Sequence, residues 1–154
     1  MATLTQTQPL DTRALVGMSP AELDTLYRTS SPGPIPAGQG AGVAIFRPGT
    51  TLARVVASLV RVFAWQGKVF NPQTHELKNR ISIFGIRAIR AKVYEEASWL
   101  DGRPTIVLDY SKTSFVAKKI RDEIREVAPG VYLGVVFWGR RHVLDFALQF
   151  PARP

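Results

Sequence analysis

Residues 131–150 read VYLGVVFWGRRHVLDFALQF. From Arg141 to Phe150, the residues Leu144, Phe146, Leu148 and Phe150 alternate with Asp145, Ala147 and Gln149. A period of two is the signature of a strand with one apolar face. Val131 to Trp138 is also rich in β-formers, and Gly139-Arg140-Arg141 turns between the two runs. These twenty residues therefore predict two strands joined by a tight turn.

The same pattern continues toward the N-terminus. Pro104 to Tyr110 is a strand with Ile106, Leu108 and Tyr110 on one face, and Asp101-Gly102 before it is a hairpin turn. Leu77 to Phe84 and Ile86 to Glu95 are strand-like and meet at Gly85; Gln66 to Asn71 is a strand ended by Pro72-Gln73. Gly42 to Arg47 is a short strand. Ser111 to Lys119 reads as a short helical or irregular link. Ile120 to Val127 stays open: Val116, Ile120, Ile124 and Val127 suit a helix, while IRDEIREV also alternates as a strand. Ala128-Pro129-Gly130 ends it.

Two helices precede most of the strands. Ser19-Pro20-Ala21-Glu22 is a capping box with Pro at the first helical position, starting a helix that ends near Tyr27. Leu52, Val55, Val56, Leu59, Val60 and Phe63 fall on one helical stripe, opposite Arg54 and Arg61. That second helix packs on the core or lies on a lid or membrane surface. Gly38, Gly40 and Gly42 read as a turn into a strand, because no strand precedes them and no Gly-Lys-Ser/Thr follows to make a phosphate loop.

Seven or eight strands at 8- to 12-residue spacing, with no long helices between them, exclude parallel crossovers. The expected fold is mainly β: a lipocalin-like antiparallel barrel of seven to eight or more strands with one or two N-terminal helices. At 154 residues this is one domain, 18–150, with a flexible N-terminal arm over 1–17 and a C-terminal tail over 151–154.

The net charge is +8. It is local: Arg28 to Lys92 holds ten basic residues and one acid, Glu76, giving +9, whereas the rest is close to neutral. The basic residues are spread singly, which predicts a positive flank beside a ligand entrance. Nucleic acid ranks behind other partners, since no helix-turn-helix or aromatic RNA-binding signature is present. There are no cysteines, and His75 and His142 form no metal-ligand spacing, so no metal is expected. No Rossmann, Walker or GxSxG pattern occurs, so no cofactor is expected. The N-terminus lacks the apolar core of a secretory signal, and the expected location is cytoplasmic.

The polar residues beside apolar strands are the catalytic candidates. Tyr110 follows Ile106 and Leu108, and a buried tyrosine hydroxyl can donate to a carbonyl oxygen. Arg121, Asp122 and Glu123 open a run of six residues with five charges; burying one carboxylate and one arginine would make a proton-transfer pair or a clamp. Together Tyr110, Arg121 and either Asp122 or Glu123 are expected as a polar floor. Trp65, Lys68, Arg90, Tyr94 and Trp138 are the ligand-binding candidates, with the two tryptophans as apolar walls.

Trp65-Gln66-Gly67-Lys68-Val69-Phe70 resembles the W-x-G-K-x-F segment of the GXWXG-motif family, small bacterial and plant proteins with a companion domain of unknown function. Tyr94 to Tyr110 and Asp122 to Gly134 are similar to later stretches of that family. The eponymous motif is absent, as Gly40-Ala41-Gly42 has no Trp beside it. The resemblance implies a calycin-like barrel and carries over no catalytic residue.

Function is then expected to be the binding of a small hydrophobic or carboxylated molecule inside the barrel. It is catalytic if ionisable groups converge there, as in a cofactor-independent isomerase, cyclase, hydratase or lyase acting on a carbonyl compound. The alternative is a non-catalytic carrier that meets an anionic membrane surface.

Overall fold

The computed structural model describes residues 10–45, 65–81, 90–112 and 118–151. Helices α1 (Thr12–Val16) and α2 (Pro20–Thr29) precede eight strands: β1 (Gly38–Ile45), β2 (Trp65–Asn71), β3 (Glu76–Ile81), β4 (Arg90–Ala97), β5 (Pro104–Asp109), β6 (Ile120–Ala128), β7 (Val131–Trp138) and β8 (Arg141–Gln149). Each strand pairs antiparallel with its neighbour in sequence, and β1 pairs with β8, so the sheet is a closed barrel in chain order. The chain is the lipocalin-like antiparallel barrel with N-terminal helices that its alternation predicts.

Several local expectations change. Ile120 to Val127 is strand, because β6 pairs along most of its length with β7 and over Arg121 to Ile124 with β5. Gly38, Gly40 and Gly42 lie within β1, not in a turn before it. Within the arm expected over 1–17, residues 12–16 form α1: Asp11 caps it by accepting from the Ala14 N–H at 2.8 Å, and Leu15 is fully buried. A five-residue helix with one buried apolar residue leaves too faint a period to read in sequence. The helix predicted over 52–63 lies outside the described residues. The capping box at Ser19 forms in both directions, Ser19 N–H to Glu22 at 2.7 Å and Glu22 N–H to Ser19 at 3.2 Å.

Barrel closure gives the strands two differently used faces. Phe70, Leu77, Val93, Ile106, Leu108, Ile124 and Phe146 point inward into one apolar cluster. Leu133, Val135, Phe137 and Ala147 point outward and are covered by Leu15, Leu23 and Tyr27 of the helices. This explains why β7 is buried on both faces. At eight strands an interior is just wide enough to be filled by side chains or to hold one small ligand.

Glycine fits the rings into that width. A Cβ on Gly134 would fall inside the ring of its cross-strand partner Phe146, and one on Gly40 would fall against the ring of Phe150. We expect Gly134→Ala to cost about 1–3 kcal/mol through overpacking, since a packed ring has nowhere to move; urea denaturation checks this, and a change within error would mean that Phe146 shifts freely.

The two ends differ. The end where β1 starts and β8 finishes, called lower here, is stoppered. Ile35 packs on the inner cluster, Tyr132 donates to the Pro34 carbonyl at 2.6 Å, and Phe150 makes edge contacts with Phe70 and Tyr132. At the opposite, upper end β1, β3, β5 and β7 finish and β2, β4, β6 and β8 begin.

Candidate functional site

Strand parity puts Lys68 of β2 on the same face as Phe70, and Asp122 of β6 on the same face as Ile120 and Ile124. Tyr110 continues the inward face of Ile106 and Leu108 just past the end of β5. These three polar side chains meet inside an apolar barrel. Lys68 Nζ donates to Tyr110 Oη at 2.7 Å and to Asp122 Oδ2 at 3.0 Å, and Tyr110 Oη donates to the same Oδ2 at 3.0 Å. The ammonium also lies 5.2 Å from the centre of the Phe146 ring and 5.4 Å from that of Tyr110.

The cluster is dry: the Lys68 and Asp122 side chains are 4% and 6% exposed. In register, Asp122 sits between Leu108 and Val136. Burial holds the Lys68 ammonium below its usual pKa, and the Asp122 carboxylate beside it offsets that only in part. Asp122 Oδ1 is buried with no hydrogen-bond partner among the described residues. A buried ion pair with an unsatisfied oxygen is a poor way to stabilise a core, because desolvation competes with the attraction. Its presence in an interior that apolar side chains could fill makes it the candidate site.

The other candidates are placed elsewhere. Arg121 and Glu123 alternate with Asp122 and so face outward, away from the triad, yet both are buried. Glu123 accepts from Ser98 Oγ at 2.8 Å and from the Trp99 N–H at 2.6 Å. Arg121 donates to Glu96 at 2.7 Å and to the Ala97 carbonyl at 3.0 Å, and stacks on Trp99, whose ring also meets Arg140. These two residues tie the β4–β5 turn to the barrel wall and are not part of the interior floor. Tyr94 is likewise outside. It donates to Asp109 at 2.8 Å, and partial burial with that carboxylate pushes its hydroxyl up to about 12. Trp138 packs against the inner cluster at the upper end. The backbones of Trp65 and Arg90 belong to β2 and β4, and their side chains lie outside the described residues.

Arg125 is the residue that sequence reasoning passed over. Fully buried on the outer face, it makes a two-pronged pair with Asp101 at 2.7 Å on both prongs. It also donates to the carbonyls of Tyr27, Arg103 and Pro104, and stacks on the Tyr27 ring at 4.2 Å. One guanidinium thereby joins α2, the β4–β5 turn and β6.

A shallow recess of about 230 Å³ opens at the lower end between Ile35, Phe70, Val93, His75 and Glu76. Its charged edge is Glu76 with Lys92 at 3.7 Å, a solvent-screened pair that orients little. Among the described residues no group of three or more His, Cys, Asp or Glu comes together to hold a metal. No described helix is long and apolar enough to cross a membrane.

No protein-family model matches the chain, and no curated protein matches it. Among solved structures it is similar to a crystal structure of a protein from Thermomonospora curvata, with 20% sequence identity over 87% of this chain and 88% of that one, and a TM-score of 0.60. At that identity the likeness concerns the fold alone.

Proposed function

We propose that the barrel interior binds a small hydrophobic molecule bearing a carbonyl group, with Lys68, Tyr110 and Asp122 as its polar centre. The chemistry is cofactor-independent proton transfer of the isomerase, cyclase, hydratase or lyase kind. The observation that supports this is the mutual bonding of an amine, a phenol and a carboxylate at 2.7–3.0 Å inside an apolar barrel. A carrier needs apolar lining and few polar anchors, whereas three convergent ionisable groups are what proton transfer requires. Lys68 and Tyr110 are donors suited to a carbonyl oxygen that gains charge, and Asp122 is an acceptor suited to a proton leaving the adjacent carbon.

The test compares a medium-chain ketone with the hydrocarbon of the same shape. Tyr110→Phe is expected to weaken the ketone about tenfold, the worth of one buried hydrogen bond, and to leave the hydrocarbon unchanged. In deuterated buffer the wild type should exchange the protons beside the ketone carbonyl, followed by NMR. Equal binding of the two molecules defeats the polar centre. Binding of the ketone without exchange leaves only a carrier.

A further inference from the structure

Lys68 is more than a hydrogen-bond donor in this arrangement. It is a primary amine with a carboxylate at 3.0 Å, a phenol at 2.7 Å, and aromatic rings around it in place of water. We propose that Lys68 is a nucleophile that forms a reversible imine with an aldehyde or ketone ligand, with Asp122 and Tyr110 moving the protons. This deepens the reading above and rests on it: the ligand class becomes a hydrophobic carbonyl compound held covalently during its residence.

The step balances without any further reactant. Asp122 takes one ammonium proton and frees the nitrogen lone pair. The C–N bond forms as the carbonyl π pair moves onto oxygen; Tyr110 protonates that oxygen and is reprotonated from Asp122. A second nitrogen proton passes through Asp122 to the new hydroxyl, which leaves as water while the nitrogen lone pair closes the C=N bond. The products are one water and a protonated imine with one N–H, and both helper groups return to their starting states.

Three observations bear on this. Lysines become nucleophiles when a site desolvates the ammonium, and burial is the largest influence on Lys68. A proton acceptor must touch the amine, and Asp122 does. That acceptor needs a position for the proton it takes, and Asp122 Oδ1 is buried with no partner among the described residues. The described lysines on the barrel wall lack this setting, as Lys78 and Lys92 are exposed.

The experiment is reductive trapping on the folded wild-type chain at pH 7. Hexanal and cyanoborohydride are added, and peptide mapping by mass spectrometry reads the alkylation at each of the six lysines. Lys68 is expected to be labelled at least tenfold faster than Lys78 or Lys92, and to lose that preference in urea, where all six are equally solvated. Hexan-1-ol, which has the same length but cannot form an imine, is titrated in parallel by calorimetry. Labelling of Lys68 at or below the surface lysines, with hexan-1-ol bound, overturns the imine and leaves the interior site standing. No preference and no binding of the alcohol overturn both. Because selectivity is read on the wild type, no variant has to fold for the answer; Lys68→Met serves only to assign the labelled peptide.

Discussion

Arg125→Ala is expected to lower the free energy of unfolding by about 3–5 kcal/mol, the usual cost of removing one partner from a buried ion pair. The loss is large because it is not confined to one contact. Asp101 keeps a mostly buried carboxylate whose pKa is held low chiefly by the Arg125 hydrogen bonds. The carbonyls of Tyr27, Arg103 and Pro104 lose a donor, and the Tyr27 ring loses the guanidinium stacked on it. Arg125→Lys is expected to recover less than half, since an ammonium cannot form both prongs to Asp101 and reach three carbonyls. Urea unfolding followed by tryptophan fluorescence measures both variants, and a loss below 1 kcal/mol for the alanine variant would show that α2 is held by its apolar face alone.

The second large effect lies inside the barrel. Asp122→Ala leaves Lys68 buried without its counter-charge, and we expect a loss of about 3–5 kcal/mol at pH 7. The pH dependence separates this from a packing defect. In the folded chain the Lys68 pKa is below its ordinary 10.5, so between the two values the unfolded chain holds more protons and stability rises with pH. Asp122 is what holds the folded value up, and removing it extends that window toward neutral pH. The variant should therefore regain stability between pH 7 and pH 10 more steeply than the wild type; a loss that is the same at both pH values would mean a cavity and not a charge. The double replacement Lys68→Met with Asp122→Leu should be at least as stable as the wild type, because it removes both desolvation penalties and adds apolar contact, while ketone binding disappears.

The alternation of Leu144, Phe146, Leu148 and Phe150 and the turns at Gly102, Gly130 and Gly139 were enough to read most of the strands and the antiparallel class. All three glycines hold the positive φ that those tight turns need. The site was less legible. β6 carries charge on both faces, and choosing between Asp122 and Glu123 required knowing which face turns inward. A clue was present: Ile120 and Ile124 flank Asp122 on its own face, as Phe70 shares the face of Lys68. What sequence could not supply is the pairing itself, because Lys68 meets residues 42 and 54 positions away. The burial of Arg121, Glu123 and Arg125 on the outside was hidden for a different reason. A barrel's outer face is normally wet, and here α2 and the β4–β5 turn cover it.

The order of strands around the barrel is their order along the chain, with one exception at the β1–β8 seam. Neighbouring strands β6 and β7 meet across Ala128 and Val131, a loop of a few residues, while the seam joins Ala41 to Gln149. Loop-closure entropy grows as the logarithm of length, so the seam costs about 3 kcal/mol more to close than a hairpin. The strand that must close it is Gly-Gln-Gly-Ala-Gly at its start, with few side chains to reward early docking. During folding, then, the assembling sheet exposes two unpaired edges, and one of them is the apolar β8. Gly40, which makes room for Phe150 in the finished barrel, and its neighbouring glycines thus lengthen the interval in which those edges are open to another chain.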